Sequence, residues 1–112
     1  MNDQVNVSIV TRHSGSVPVI RELLGKKFSN FEVVEVIPHL NDISEIRGDV
    51  LVGILPINIA AAVQAAGIRF VEFAIDMTPQ LRGKELDEQT VRGLNPRLTE
   101  FSVKQVGKTV TL

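Results

Sequence analysis

Two rhythms of apolar residues take turns along this chain. Residues 5–10, VNVSIV, have the β-branched pattern of a strand. The period then changes. Val17, Ile20, Leu23 and Leu24 fall on one face of a helix. Ser16 is placed to cap that helix, Pro18 sits in its first turn, where a missing N–H costs little, and Gly25 is placed to stop it. Residues 31–37, FEVVEVI, predict a second strand that Pro38 ends. Residues 41–48 are polar, with Ile43 and Ile46 at helical spacing, which predicts a single helical turn. Residues 50–55 are apolar without alternation, the pattern of a strand covered on both faces. Residues 57–66 predict a second helix stopped by Gly67, and residues 69–75, RFVEFAI, a fourth strand.

Beyond Asp76 the pattern weakens. Residues 77–96 hold two prolines, two glycines and many charges. They predict a loop, then a short helix at 87–91 capped by Asp87. Residues 98–106 and 109–112 predict two strands joined as a hairpin by Gly107-Lys108. Strands alternating with helices imply an α/β fold: a small, Rossmann-like, mostly parallel sheet flanked by helices, with the C-terminal β-hairpin appended. The chain has 112 residues and neither repeats nor linkers, so one domain over 1–112 is expected.

Composition narrows the function classes. Hydrophobic residues are 44% and charged residues 22%, ordinary proportions for a soluble domain with a core. The net charge of −1 provides no global field for long nucleic acid or an anionic membrane, so any anion site must be local. The absence of cysteine rules out disulfides and thiolate metal sites. The first residues, MNDQVNVS, lack the basic and apolar regions of a signal peptide, and a cytoplasmic location is expected. Residues 50–68 carry no charge and are long enough to span a membrane. Pro56 and Asn58 interrupt them, with β-branched residues before and alanines after, which argues for strand, turn and helix instead. The alanines at 60, 61, 62, 65 and 66 suit close packing against the sheet or a second copy.

In doubly wound sheets ligands bind at the carboxyl ends of strands, where the strand order reverses. That rule selects Thr11 to Ser16, then Pro38 and His39, then Pro56 and Asn58, then Asp76 and the segment that follows it. Ser14, Gly15 and Ser16 form a small-residue turn entering a helix, where backbone N–H groups favour a phosphate. Arg12 can add a bidentate contact, and His13 can move a proton near neutral pH. The same turn is equally open to a plain reading, since Gly and Ser are ordinary in such turns. Arg82-Gly83-Lys84 can wrap a phosphate or be a solvated loop. Asn58 can cap the second helix or turn to a base or ribose. His39 reads as structural or exposed. Asp76 has no second carboxylate beside it, which argues against a two-metal site.

Three stretches in order carry a resemblance: Val10-Thr11-Arg12-His13 with Gly15, residues 53–61 (GILPINIAA), and residues 82–86 (RGKEL). Together they resemble a family of small stand-alone CRISPR-associated proteins of type III systems, similar to sensor domains with a CRISPR-associated Rossmann-like fold. The resemblance covers residues 7–86. It implies a ring nuclease that cleaves cyclic tetra-adenylate without a metal or cofactor. It also implies a homodimer with the ligand on its two-fold axis. The ribose 2′-OH would attack the adjacent phosphorus and leave a 2′,3′-cyclic phosphate. Arg12 and Arg82 would then carry the charge term. His13 would assist proton transfer, and Thr11, Ser14, Gly15, Ser16, Pro56, Asn58, Gly83 and Lys84 would line the ligand site. There is no Trp or Tyr, so stacking on adenine would fall to Phe or aliphatic side chains.

Three other readings stand beside it. The same pocket could sequester the cyclic nucleotide without cutting it. Arg-His near a glycine after the first strand is similar to the histidine phosphatases, but Ser14 intervenes before Gly15 and the second histidine, His39, arrives early. The third is an interaction domain with no ligand.

Overall fold

The computed structural model describes residues 4–112. Five strands form one sheet: β1 (Val5–Val10), β2 (Phe31–Ile37), β3 (Val50–Gly53), β4 (Arg69–Ala74) and β5 (Arg97–Phe101), in the order β2-β1-β3-β4-β5. The first four run parallel and β5 is antiparallel to β4. The helices are α1 (Ser16–Lys27), α2 (Ile57–Ala65) and the short α3 (Glu88–Arg92). This is the predicted α/β architecture.

Alternation along the strands sorts the core into two faces. Val7, Ile9, Val50, Val52, Val71 and Phe73 pack against Val19, Ile20 and Leu24 of α1, Val91 of α3, and Leu86. Leu51 and Phe70 point the opposite way, where Ala60 and Val63 of α2 are also buried. Every residue of β3 is buried, as its unbroken apolar run requires. Full burial of one such Val, Ile or Leu contributes about 1.5–3 kcal/mol.

Three local expectations need correction, and the expected helical turn at 41–48 is present in 3-10 form. α1 continues through Gly25 to Lys27, because Leu24 is buried and Gly25 faces open space, where glycine costs only helix propensity. Ser16 is the first helical residue and Gly15 the cap, with no side-chain cap bond. The helical turn at 41–48 is a 3-10 turn at Ile43–Glu45, held where Asp42 accepts the Ser44 N–H at 2.9 Å. The C-terminal strand stops at Phe101, and its partner is β4 rather than 109–112. Pairing with β4 sets Leu98 opposite Phe73 and Phe101 opposite Phe70. The tail has no such apolar neighbours: Val110 and Leu112 are fully exposed and form no strand.

Gly67, at φ +90°, stops α2 as predicted. Asp87 caps α3, accepting the Thr90 N–H at 2.8 Å. The uncharged stretch 50–68 divides into β3, a turn at Pro56 and α2. No helix among the described residues is long and apolar enough to cross a membrane.

An ion cluster ties β5 to the rest, at the sheet end away from the carboxyl ends of the parallel strands. Glu100 accepts two hydrogen bonds from Arg69, both 2.8 Å, and Lys27 Nζ lies 3.0 Å from it. Both cations sit over the Phe28 ring, 5.3 Å from its centre. The Arg69 hydrogen bonds outweigh burial and, with Lys27, hold the Glu100 carboxyl at about 2. A depressed carboxylate contributes stability above its unfolded value near 4.5 and loses it as pH falls toward 2. Glu100→Gln should therefore lower unfolding stability by about 1 kcal/mol at pH 7, the upper range for partly exposed pairs. In urea titrations the gap from wild type should close between pH 4.5 and 2. A gap independent of pH would show that the ion cluster does not stabilise the fold.

Candidate functional site

β1 and β3 lie side by side, yet the chain leaves them in opposite directions. From β1 it turns to α1 and β2, and from β3 to α2 and β4. Their carboxyl ends therefore part and leave a crevice. A cavity of about 650 Å³ occupies it. One wall is apolar, built from Ile54, Leu55, Pro56 and Ile59 after β3, and Phe73, Ile75 and Met77 around the end of β4. The opposite wall carries the polar groups: Thr11, Arg12, His13 and Ser16 follow Val10 at the end of β1, and His39 follows β2 between Pro38 and Leu40.

The β1–α1 turn is held from within. Thr11 N–H donates to the Ile37 carbonyl at 3.0 Å, and the Thr11 hydroxyl accepts the His13 N–H at 3.1 Å. Thr11 thus spends its side chain shaping the turn. Ser16 N–H donates to the His13 carbonyl at 2.9 Å. The Ser16 side chain lines the cavity and is almost fully buried. Ser14 is exposed and lies outside the cavity lining.

Gly15 lies outside the lining too, and its role is a close approach. A Cβ at this position would stand 2.5 Å from the Asp87 carbonyl carbon and 2.6 Å from both Glu88 N and Leu86 O. Only a glycine lets the backbone at 86–88 rest against the turn. That docking brings Leu86 N–H within 3.4 Å of His13 Nδ1, and Glu85 Oε2 within 3.6 Å of the same atom. The turn and the end of RGKEL, separate in sequence, are in contact.

His39 is the residue the sequence undervalues. Its Nδ1 lies 3.3 Å from Arg12 Nη2. An arginine can only donate, so Nδ1 accepts here and the ring proton is on Nε2. His39 thus orients Arg12 and offers the cavity a donor. The available signal was its place at the end of a strand adjoining β1. Its partner stands 27 positions away and leaves no local trace.

Of the other candidates, Pro56 lines the cavity in its apolar wall, and the rest lie outside it. Arg82, Gly83 and Lys84 are exposed, outside the cavity lining, with Gly83 at φ +78°. Among the described residues neither Arg82 nor Lys84 has a carboxylate partner. Asn58 makes no side-chain cap bond to α2 and lines a separate groove beside 102–105. Asp76 is occupied by Arg97 at 2.9 Å and Asn95 at 3.2 Å, and these bonds hold its carboxyl below the usual range.

A family model described as "Putative CRISPR-associated protein (Cas_VVA1548)" matches residues 8–104. The chain belongs to this CRISPR-associated family. The matched region contains the whole cavity lining and the docked segment 85–88. No curated protein and no solved structure matches the chain.

The docking contact makes a direct prediction. Gly15→Ala must push the 86–88 backbone away and should cost about 1–3 kcal/mol. Gly25→Ala meets open space in the last turn of α1 and should be neutral or stabilising by up to about 1 kcal/mol. Urea midpoints compare the two, and equal stability of Gly15→Ala and wild type would contradict the close approach.

Proposed function

We propose that the protein is a ring nuclease of CRISPR defence, binding and cleaving cyclic tetra-adenylate. One observation carries this reading: the cavity sets an apolar wall, suited to a purine, opposite a wall that holds the donors Arg12, Ser16 and His39, suited to a phosphate. Membership of a CRISPR-associated family adds to it. Phe73 is the one aromatic residue in the lining, so contact with adenine would come mostly from aliphatic side chains.

In this reading Arg12, oriented by His39, places positive charge on the phosphoryl oxygens, and Ser16 donates its hydroxyl. Arg82 and Lys84, free of carboxylate partners, would meet the ligand from the loop that His13 and Gly15 anchor. The ribose 2′-OH is the nucleophile, so no metal-bound water and no cofactor is required. The reacting oxygen, phosphorus and leaving 5′-oxygen must be held in line. A four-membered adenylate ring has two-fold symmetry, which fits a homodimer giving one polar wall from each subunit. Ile54 on the cavity rim and Ile57 beside it are 63% and 78% exposed, and a second subunit would cover them.

A binding protein that only sequesters the ring is the second reading, and one observation favours it. His13 Nδ1 accepting the Leu86 N–H places the ring proton on Nε2, a donor rather than a base. Labelled cyclic tetra-adenylate with excess protein and a chelator separates the two. The nuclease reading expects linear di-adenylate ending in 2′,3′-cyclic phosphate. His13→Ala should then slow single-turnover cleavage by about 10²–10⁴-fold and change affinity far less. A ring bound tightly and recovered intact would establish sequestration instead.

A further inference from the structure

We propose that Glu85 is a positioning residue that makes His13 a base. This rests on the nuclease reading and deepens it. Two groups of opposite kind face one atom. His13 Nδ1 has a donor, Leu86 N–H, at 3.4 Å and an acceptor, Glu85 Oε2, at 3.6 Å. One ring nitrogen serves only one of them at a time. Bonded to Leu86, Nδ1 is a lone pair and the proton is on Nε2, so the ring has nothing with which to take a proton from a ligand. Turned to Glu85, Nδ1 carries the proton and Nε2 has the free lone pair. Nε2 is the one ring nitrogen not already faced by 85–86, and His13 lines the cavity. The choice between Glu85 and Leu86 is thus the choice between donor and base.

The geometry keeps both partners in reach. Leu86 is 1% exposed and locked in the core. The 86–88 backbone rests on Gly15, and Asp87 caps α3. Glu85 therefore starts one residue from a fixed point. Its side chain is 70% exposed and free to close the remaining distance. A carboxylate there also offsets the charge the ring acquires when it takes a proton, as in other carboxylate–histidine pairs.

The step balances. The 2′-OH proton passes to His13 Nε2 as the 2′-oxygen bonds to phosphorus. The bond from phosphorus to the 5′-oxygen breaks and its electron pair stays on that oxygen. The proton on Nε2 then moves to the 5′-oxygen, leaving a 2′,3′-cyclic phosphate, a 5′-hydroxyl and a neutral ring.

Long-range ¹H–¹⁵N spectra of the imidazoles report which nitrogen carries the proton, without any substrate. His13→Gln assigns the His13 signals. Wild type should populate the Nδ1–H form. Glu85→Ala should leave only the Nε2–H form, held by Leu86. Glu85→Gln, whose carbonyl can still accept, should keep Nδ1–H. In single-turnover and steady-state cleavage, Glu85→Ala should lower kcat by about 10-fold or more with KM nearly unchanged, and Glu85→Gln by less. Identical spectra for wild type and Glu85→Ala would overturn the proposal, and so would a raised KM with kcat intact. If the spectra change as expected but wild type leaves the ring uncut, the hold of Glu85 on His13 stands and the nuclease reading falls.

Discussion

Everything at the carboxyl end of the sheet depends on one close approach, the backbone at 86–88 resting on Gly15. A single methyl group there would hold the two segments apart. Leu86 would lift from the core it shares with Val19 and Ile20, and the N–H that reaches His13 would move away. Packing and chemistry thus share a contact. Sequence distance hides it, because Gly15 and Leu86 belong to opposite ends of the fold's parallel portion. The contact also anchors the end of the cationic loop, whose Arg82 and Lys84 lie exposed just before the anchored residues.

The two ends of the sheet are built for different purposes. At one end Glu100 pairs with Arg69 and Lys27, both over the Phe28 ring, and ties the antiparallel edge strand to the rest. At the other, Arg12 faces the His39 ring rather than a carboxylate. In the proposed reading its charge meets a ligand phosphate. A chain with net charge −1 can hold an anion only through such local arrangement. The proposed site would supply it at the switch point, where the polar β1–α1 turn lies opposite the apolar residues after β3.

Much of this was legible in the sequence, for physical reasons. β3 announced itself because a strand buried on both faces cannot alternate. The β1–α1 turn announced itself because polar residues crowd the end of a strand. Gly25 and Ser16 misled, since a glycine facing solvent inside a helix and a serine inside its first turn look the same in sequence as a stop and a cap. The C-terminal hairpin was drawn from local turn chemistry, whereas β5 follows the phenylalanines of β4, pairings that are not local. The site was legible in one dimension only. Thr11 to Ser16 could be named. The bond between Arg12 and His39, the reach of Glu85 and Leu86 to His13, and the drift of Asn58 to another groove depend on which segments the fold brings together.

The central claim is that a cyclic oligoadenylate enters the crevice between β1 and β3. Backbone amide shifts of the ¹⁵N-labelled protein, titrated with cyclic tetra-adenylate in chelator at low temperature, test it most directly. The account predicts that shifts concentrate at Thr11, Arg12, His13, Ser16, His39, Ile54 and Leu55, while Phe28, Arg69 and Glu100 at the far end stay still. Saturable shifts centred on the groove at Asn58, or no shifts at millimolar ligand, would contradict it.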